Sequence, residues 1–143
     1  MKYIIDASVA AKLFIDEDYS NKAIEIIEAY IHGHLSLSAP TLIVYELGNV
    51  FWRHPQITAE KVYIFIKRFL DLKVNLVNIY SDNELLEKIC SISKSEDVTF
   101  YDATYIAIAQ KDKTKLVTAD EKICNRMPNL TIPFRNSKAN FKC

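Results

Sequence analysis

The sequence predicts an α/β fold: a single-domain α/β/α sandwich around a mainly parallel sheet of four to five strands. Three observations carry this. Short apolar runs without alternation, such as "YII" and "KLV", suit strands covered on both faces. These runs alternate with helical periodicity from end to end. A chain of 143 residues with only 2 Gly and 4 Pro fits one domain without a flexible linker.

"KYIID" is the first strand and ends in Asp6. "ASVAAKLFI" then reads as a helix. "SNKAIEIIEAYI" is an amphipathic helix whose expected buried face carries Ala23, Ile24, Ile27 and Ile31. "LSLSA" is a second short strand, and Pro40 is expected to open the next helix. Pro55 closes that segment. Thr58 caps a helix with the stripe Val62, Phe65, Phe69 and Leu72. "VNLVNI" is a third strand, after which Asp82 caps "NELLEKICSISKS". "YDATYIAIAQK" is a nearly all-apolar helix and so should be central. "KLVTA" is a fourth strand, "DEKICNRM" a short helix, and "LTIPF" a last, edge strand.

Composition narrows the function classes. Half the chain is apolar and a quarter is charged, as in an ordinary globule. The apolar runs are far shorter than the roughly 20 residues a membrane span needs. No secretory leader precedes the first strand. A cytoplasmic protein without a membrane partner is expected. Cys90, Cys124 and Cys143 are widely spaced and form no C-x-x-C pair, which favours reduced thiols. His32 and His34 flank Gly33 in what reads as a polar loop. Net charge is zero, yet residues 111–143 hold eight basic groups against three acids, a surplus of five. That asymmetry is compatible with a polyanionic partner.

Four carboxylates are the candidate chemistry. Asp6 and Asp120 follow the first and fourth strands, so a parallel sheet puts both at its carboxyl edge. Each also precedes a helix, where Asp is a good N-cap. Asp102 sits in the first turn of the apolar helix, where the helix dipole favours an anion. Glu46 lies mid-helix in "TLIVYELGNVFW" with no capping role. With Asn49 and Arg53 it forms one narrow polar stripe, whose plain reading is a solvent-facing Glu–Arg pair. Converging carboxylates repel one another, and divalent cations remove that conflict. Oxygen ligands suit Mg²⁺ or Mn²⁺, while zinc prefers His and Cys. Such ions activate water and stabilise a leaving oxygen, which fits phosphodiester hydrolysis. Ser8 and Thr118 can orient water or phosphate, or serve their strand and helix ends. Asn49 can orient Glu46 or bond substrate. Arg53 is expected at the surface.

At "YIIDASVAAKLF", "YELGNVFWR", "FYDATYIAIA" and "LVTAD" the chain resembles the PIN-domain family, and within it the ribonuclease toxins of VapBC toxin–antitoxin systems. The resemblance spans about residues 1–133. A nuclease domain over residues 1–134 is expected, and the basic tail over 135–143, which lacks a pattern, is expected to be mobile. It implies a metal-dependent endoribonuclease with one or two Mg²⁺ or Mn²⁺ ions per subunit, and acidic roles for Asp6, Glu46, Asp102 and Asp120. Ser8, Asn49 and Thr118 would act as substrate or supporting groups. It also implies a homodimer and a small cognate antitoxin. Tyr63, Ile64 and Leu70 lie off the main stripe of their helix, which agrees with burial against a second subunit. Some relatives carry a further acid shortly after the position of Asp120, where this chain has Glu121 and Lys122.

Two alternatives stand beside the toxin. One is a PIN protein of RNA processing or quality control, or a non-catalytic binding subunit. The other is a phospho-acceptor domain, which needs an acceptor Asp that "VNLVNI" does not supply.

Overall fold

A computed structural model describes residues 1–135. Five parallel strands, β1 (Lys2–Ile5), β2 (Ser36–Pro40), β3 (Asn75–Val77), β4 (Lys115–Thr118) and β5 (Thr131–Pro133), form one sheet in the order β3-β2-β1-β4-β5. β1 is central and pairs with both β2 and β4, Ile5 lying opposite Val117. The helices are α1 (Ala7–Ala10), α2 (Ser20–Ile31), α3 (Leu42–Arg53), α4 (Ala59–Asp71), α5 (Asn83–Ser95), α6 (Phe100–Lys111) and α7 (Glu121–Arg126).

Side-chain alternation splits the core between the two faces of the sheet. Ile5 and Val117 join one cluster with α1 to α4. Ile4 and Leu116 join another with α5, α6 and α7. β1 and β4 are therefore apolar on successive residues, as their sequences implied. Thr58, Thr99 and Asp82 each accept a main-chain N–H at a helix start. Phe14, Phe51 and Phe65 pack with ring centroids 5.3–5.7 Å apart, fixing α3 against α4 and the turn after α1.

Three local expectations are corrected. The helix after Asp6 is two pieces, α1 and a 3₁₀ turn over Ala11–Leu13. Pro40 ends β2 opposite Val77 instead of opening α3; the next residue, Thr41, supplies the N–H to Val77 that Pro40 lacks. α2 buries Ser20, Ala23, Ile26 and Ala29, leaving Ile24 and Ile31 exposed. Its isoleucines at 24, 26, 27 and 31 are spread around the helix, so periodicity alone admits more than one inner face. The face turned inward carries small residues, which permit close approach.

His32 and His34 are exposed, and His32 Nδ1 lies 2.7 Å from the Glu28 carbonyl. Cys90 is exposed, Cys124 is buried, and both are free thiols. Cys143 and the tail after Arg135 lie outside the described residues. Among the described residues no helix is long and apolar enough to cross a membrane.

Candidate active site

The site lies where the strands end. Asp6 leaves β1 in extended conformation and caps α1, accepting from Val9 N at 3.2 Å. Ser8 Oγ donates to the same Asp6 oxygen at 2.6 Å. Thr118, last in β4, donates to the other. The Thr118 hydroxyl also accepts the Asp120 N–H at 3.0 Å, and Ser8 Oγ accepts the Ala119 N–H at 3.0 Å. Asp6 is thus only 8 % exposed yet well supplied with donors. Burial pushes its pKa up, and the hydrogen bonds from Ser8, Thr118 and Val9 oppose that.

Asp120 caps α7 through one oxygen, accepting from Lys122 N at 2.8 Å and Ile123 N at 3.3 Å. Asp6 and Asp120 therefore each cap a helix through one carboxylate oxygen, and the other oxygen of Asp6 is held by Thr118.

Glu46 and Asp102 come from opposite faces of the sheet. Glu46 is on α3 and half-buried. Its Oε1 accepts from the Tyr105 hydroxyl of α6 at 2.6 Å. Burial is the largest cause raising its pKa; the Tyr105 hydrogen bond opposes it, and the charges of Asp6 and Asp102 add to it. Asp102, in the first turn of α6, has its N–H bound by Thr99 Oγ1 at 3.1 Å. Its carboxyl is also raised, by burial first and by Asp120 in addition, against the Thr99 hydrogen bond. Glu46 therefore feels Asp6 and Asp102, and Asp102 feels Asp120: the four acids form one electrostatic group. A Glu46–Arg53 pair is not how Glu46 is satisfied, and Asn49 and Arg53 stand exposed beyond it.

Tyr105 is the residue that the sequence reading missed. A signal existed: a phenol inside an apolar helix needs a hydroxyl partner, and it sits three residues after Asp102, on the same face. Burial raises its pKa well above the ordinary phenol value, with the Glu46 charge adding to this, so it stays a donor.

Among the described residues, no group of three or more acidic, histidine or cysteine side chains is placed to hold a metal ion. The donor set still fits a hard cation. All four ligand candidates are carboxylates; burial raises the pKa of Asp6, Glu46 and Asp102, and a neighbouring carboxylate adds to this for Glu46 and Asp102. Mg²⁺ commonly takes only one or two carboxylates and completes its shell with waters and substrate phosphate.

Past the end of β2, Tyr45, Tyr80, Phe100 and Tyr101 line a cavity of about 160 Å³ whose lining includes none of the four acids. Tyr45 and Tyr80 are 79 % and 86 % exposed. Tyr45 and Tyr101 are the chain neighbours of Glu46 and Asp102.

Among the described residues, the basic groups from Lys111 onward are not gathered at this edge. Lys113 and Lys115 share a cavity with Met1 and Lys2 at the amino edge, whereas Lys122 follows Asp120. Lys111 pairs with Asp82, Arg135 with Glu121, and Arg126 donates to the Asp97 carbonyl at 3.0 Å. β4 carries the chain across the whole sheet, so a charged segment is divided between its two ends.

Comparison with known proteins finds a family match and structures of the same fold. The PIN-domain family model matches residues 3–127. Ribonuclease VapC3 of Pyrobaculum aerophilum is 27 % identical over 136 residues, covering 93 % of this chain and all of that protein. Among solved structures, VapBC2 from Rickettsia felis bound to a promoter DNA fragment aligns with a TM-score of 0.67 at 14 % identity, over 92 % of this chain and 96 % of that one. A toxin–antitoxin complex from Klebsiella pneumoniae aligns with a TM-score of 0.64 at 18 % identity, over 92 % and 97 %.

Proposed function

The chain belongs to the PIN-domain family, and we propose that it is a metal-dependent endoribonuclease, the toxin of a toxin–antitoxin pair acting on cytoplasmic RNA. One observation carries the chemistry: four carboxylates from β1, α3, α6 and the end of β4 share a charge environment at the carboxyl edge. The likeness to ribonuclease VapC3 and to VapBC complexes supports the toxin assignment.

Asp6, Asp102 and Asp120 would hold one or two Mg²⁺ or Mn²⁺ ions, with Glu46 completing the shell or orienting the attacking water. The bound metal supplies an activated water and neutralises charge on the leaving oxygen. Ser8 and Thr118 hold Asp6 in one orientation. The exposed tyrosines, two of them chain neighbours of Glu46 and Asp102, offer faces on which unpaired bases can stack. β3 lies at the sheet edge and ends without the acceptor Asp that a phospho-acceptor domain needs on its third strand.

Regulation would come from a small antitoxin covering this edge. Tyr63 and Leu70 stand exposed on α4 and support a homodimer. RNA cleavage with Mn²⁺, comparing wild type with Asp6→Asn, tests the activity; equal rates would end the reading. Light scattering tests the dimer, and co-expression with the product of an adjacent small reading frame tests the antitoxin.

A further inference from the structure

α6 is buried on almost every side from Ala103 to Ala109, yet it carries a phenol. Tyr105 is 2 % exposed, and its hydroxyl ends 2.6 Å from Glu46 Oε1. The pair joins α3 in one core cluster to α6 in the other. One face of α6 thus supplies a carboxylate, Asp102, and the donor that holds another, Glu46.

We propose that Tyr105 is a positioning residue of the metal site: by donating to Glu46 Oε1 it fixes the carboxylate's orientation and leaves Oε2 as the oxygen presented to the ion or to a water on it. A free glutamate has three side-chain torsions to freeze when an ion arrives, and a hydrogen bond made beforehand removes that entropic cost from binding. The choice of a phenol matters. Lysine or arginine at this place would neutralise Glu46 and compete with the cation. A neutral donor orients the carboxylate and leaves its charge for the metal. Partners of this kind typically change metal affinity 10- to 100-fold.

The effect on cleavage rests on the ribonuclease reading; the effect on metal binding does not. The test uses the full chain with Tyr105→Phe and Glu46→Gln, singly and together. Calorimetry reads Mn²⁺ affinity, cleavage of a single-stranded RNA is followed against Mn²⁺ concentration, and thermal unfolding is measured without metal. Tyr105→Phe is expected to weaken Mn²⁺ binding about tenfold or more, to leave the KM for RNA unchanged, and to regain most of its rate at saturating Mn²⁺. In the Glu46→Gln background the same substitution is expected to change Mn²⁺ affinity less than about twofold, because its effect runs through Glu46. Wild-type affinity in Tyr105→Phe overturns the proposal, as does an equal loss in both backgrounds or a wild type that binds no Mn²⁺. Wild type that binds Mn²⁺ but leaves RNA intact refutes the ribonuclease reading, while the calorimetric comparison still decides the role of Tyr105. If Tyr105→Phe does not fold, tyrosine difference absorbance on adding Mn²⁺ replaces it: a signal expected in wild type and diminished in Glu46→Gln. An identical signal in both overturns the proposal.

Discussion

Thr118 joins two acids of the site: its hydroxyl donates to Asp6 across the β1–β4 pair and accepts the Asp120 N–H at 3.0 Å. Register brings this about, because Ile5 lies opposite Val117 and the next residues on each strand are Asp6 and Thr118. A strand-end threonine therefore orders one carboxylate and the chain entry to another.

Thr118→Val keeps the shape and removes both bonds. Thr118 is fully buried, so the Asp120 N–H loses its acceptor and Asp6 loses a donor. Such orphaned groups cost about 1–3 kcal/mol. Urea unfolding should show that loss, together with weaker metal binding.

Asp6→Asn should fold, since Asn caps helices about as well as Asp and its amide oxygen can still accept from Ser8 and Val9. Circular dichroism should match wild type. Cleavage should fall by at least about 100-fold, the upper end of what even supporting groups around a metal cost.

Asp6, Glu46 and Asp102 all have raised pKa values when folded. The unfolded chain ionises them more readily than the folded one does. Their contribution to stability is therefore full below the ordinary carboxylate range and is lost as pH rises through the raised values. Metal-free protein should show a melting temperature that falls from mildly acidic to neutral pH. Mn²⁺ should raise it, and more so as rising pH removes the ligands' protons. A melting temperature that climbs over that range without metal would contradict the assigned shifts.

Tyr45, Tyr80 and Tyr101 are exposed and line one cavity past the end of β2. Tyr101→Ala, measured in the Asp6→Asn background so that RNA stays intact, should weaken binding of a single-stranded RNA by about 1–3 kcal/mol if a base stacks there. Fluorescence anisotropy checks it, with duplex RNA as the insensitive control.

Phe51 is fully buried between Phe14 and Phe65. Phe51→Ala should cost about 3–5 kcal/mol and loosen α3, the helix that carries Glu46. Denaturant midpoints give the first effect, and reduced Mn²⁺ affinity in the folded variant the second.

The order of strands and helices, the parallel sheet and the edge position of Asp6 and Asp120 were all legible in the chain. Unbroken apolar runs demand cover on both faces, and parallel strands all end on one side. Helix caps at Thr58 and Asp82 were legible too, because capping is local. What periodicity determines is the face a residue occupies on its own element. Which element stands opposite is decided by how distant segments pack. Tertiary structure alone therefore turned α2 onto Ala23 and Ile26, divided the basic segment between two edges of the sheet, and set the Tyr105 hydroxyl against Glu46.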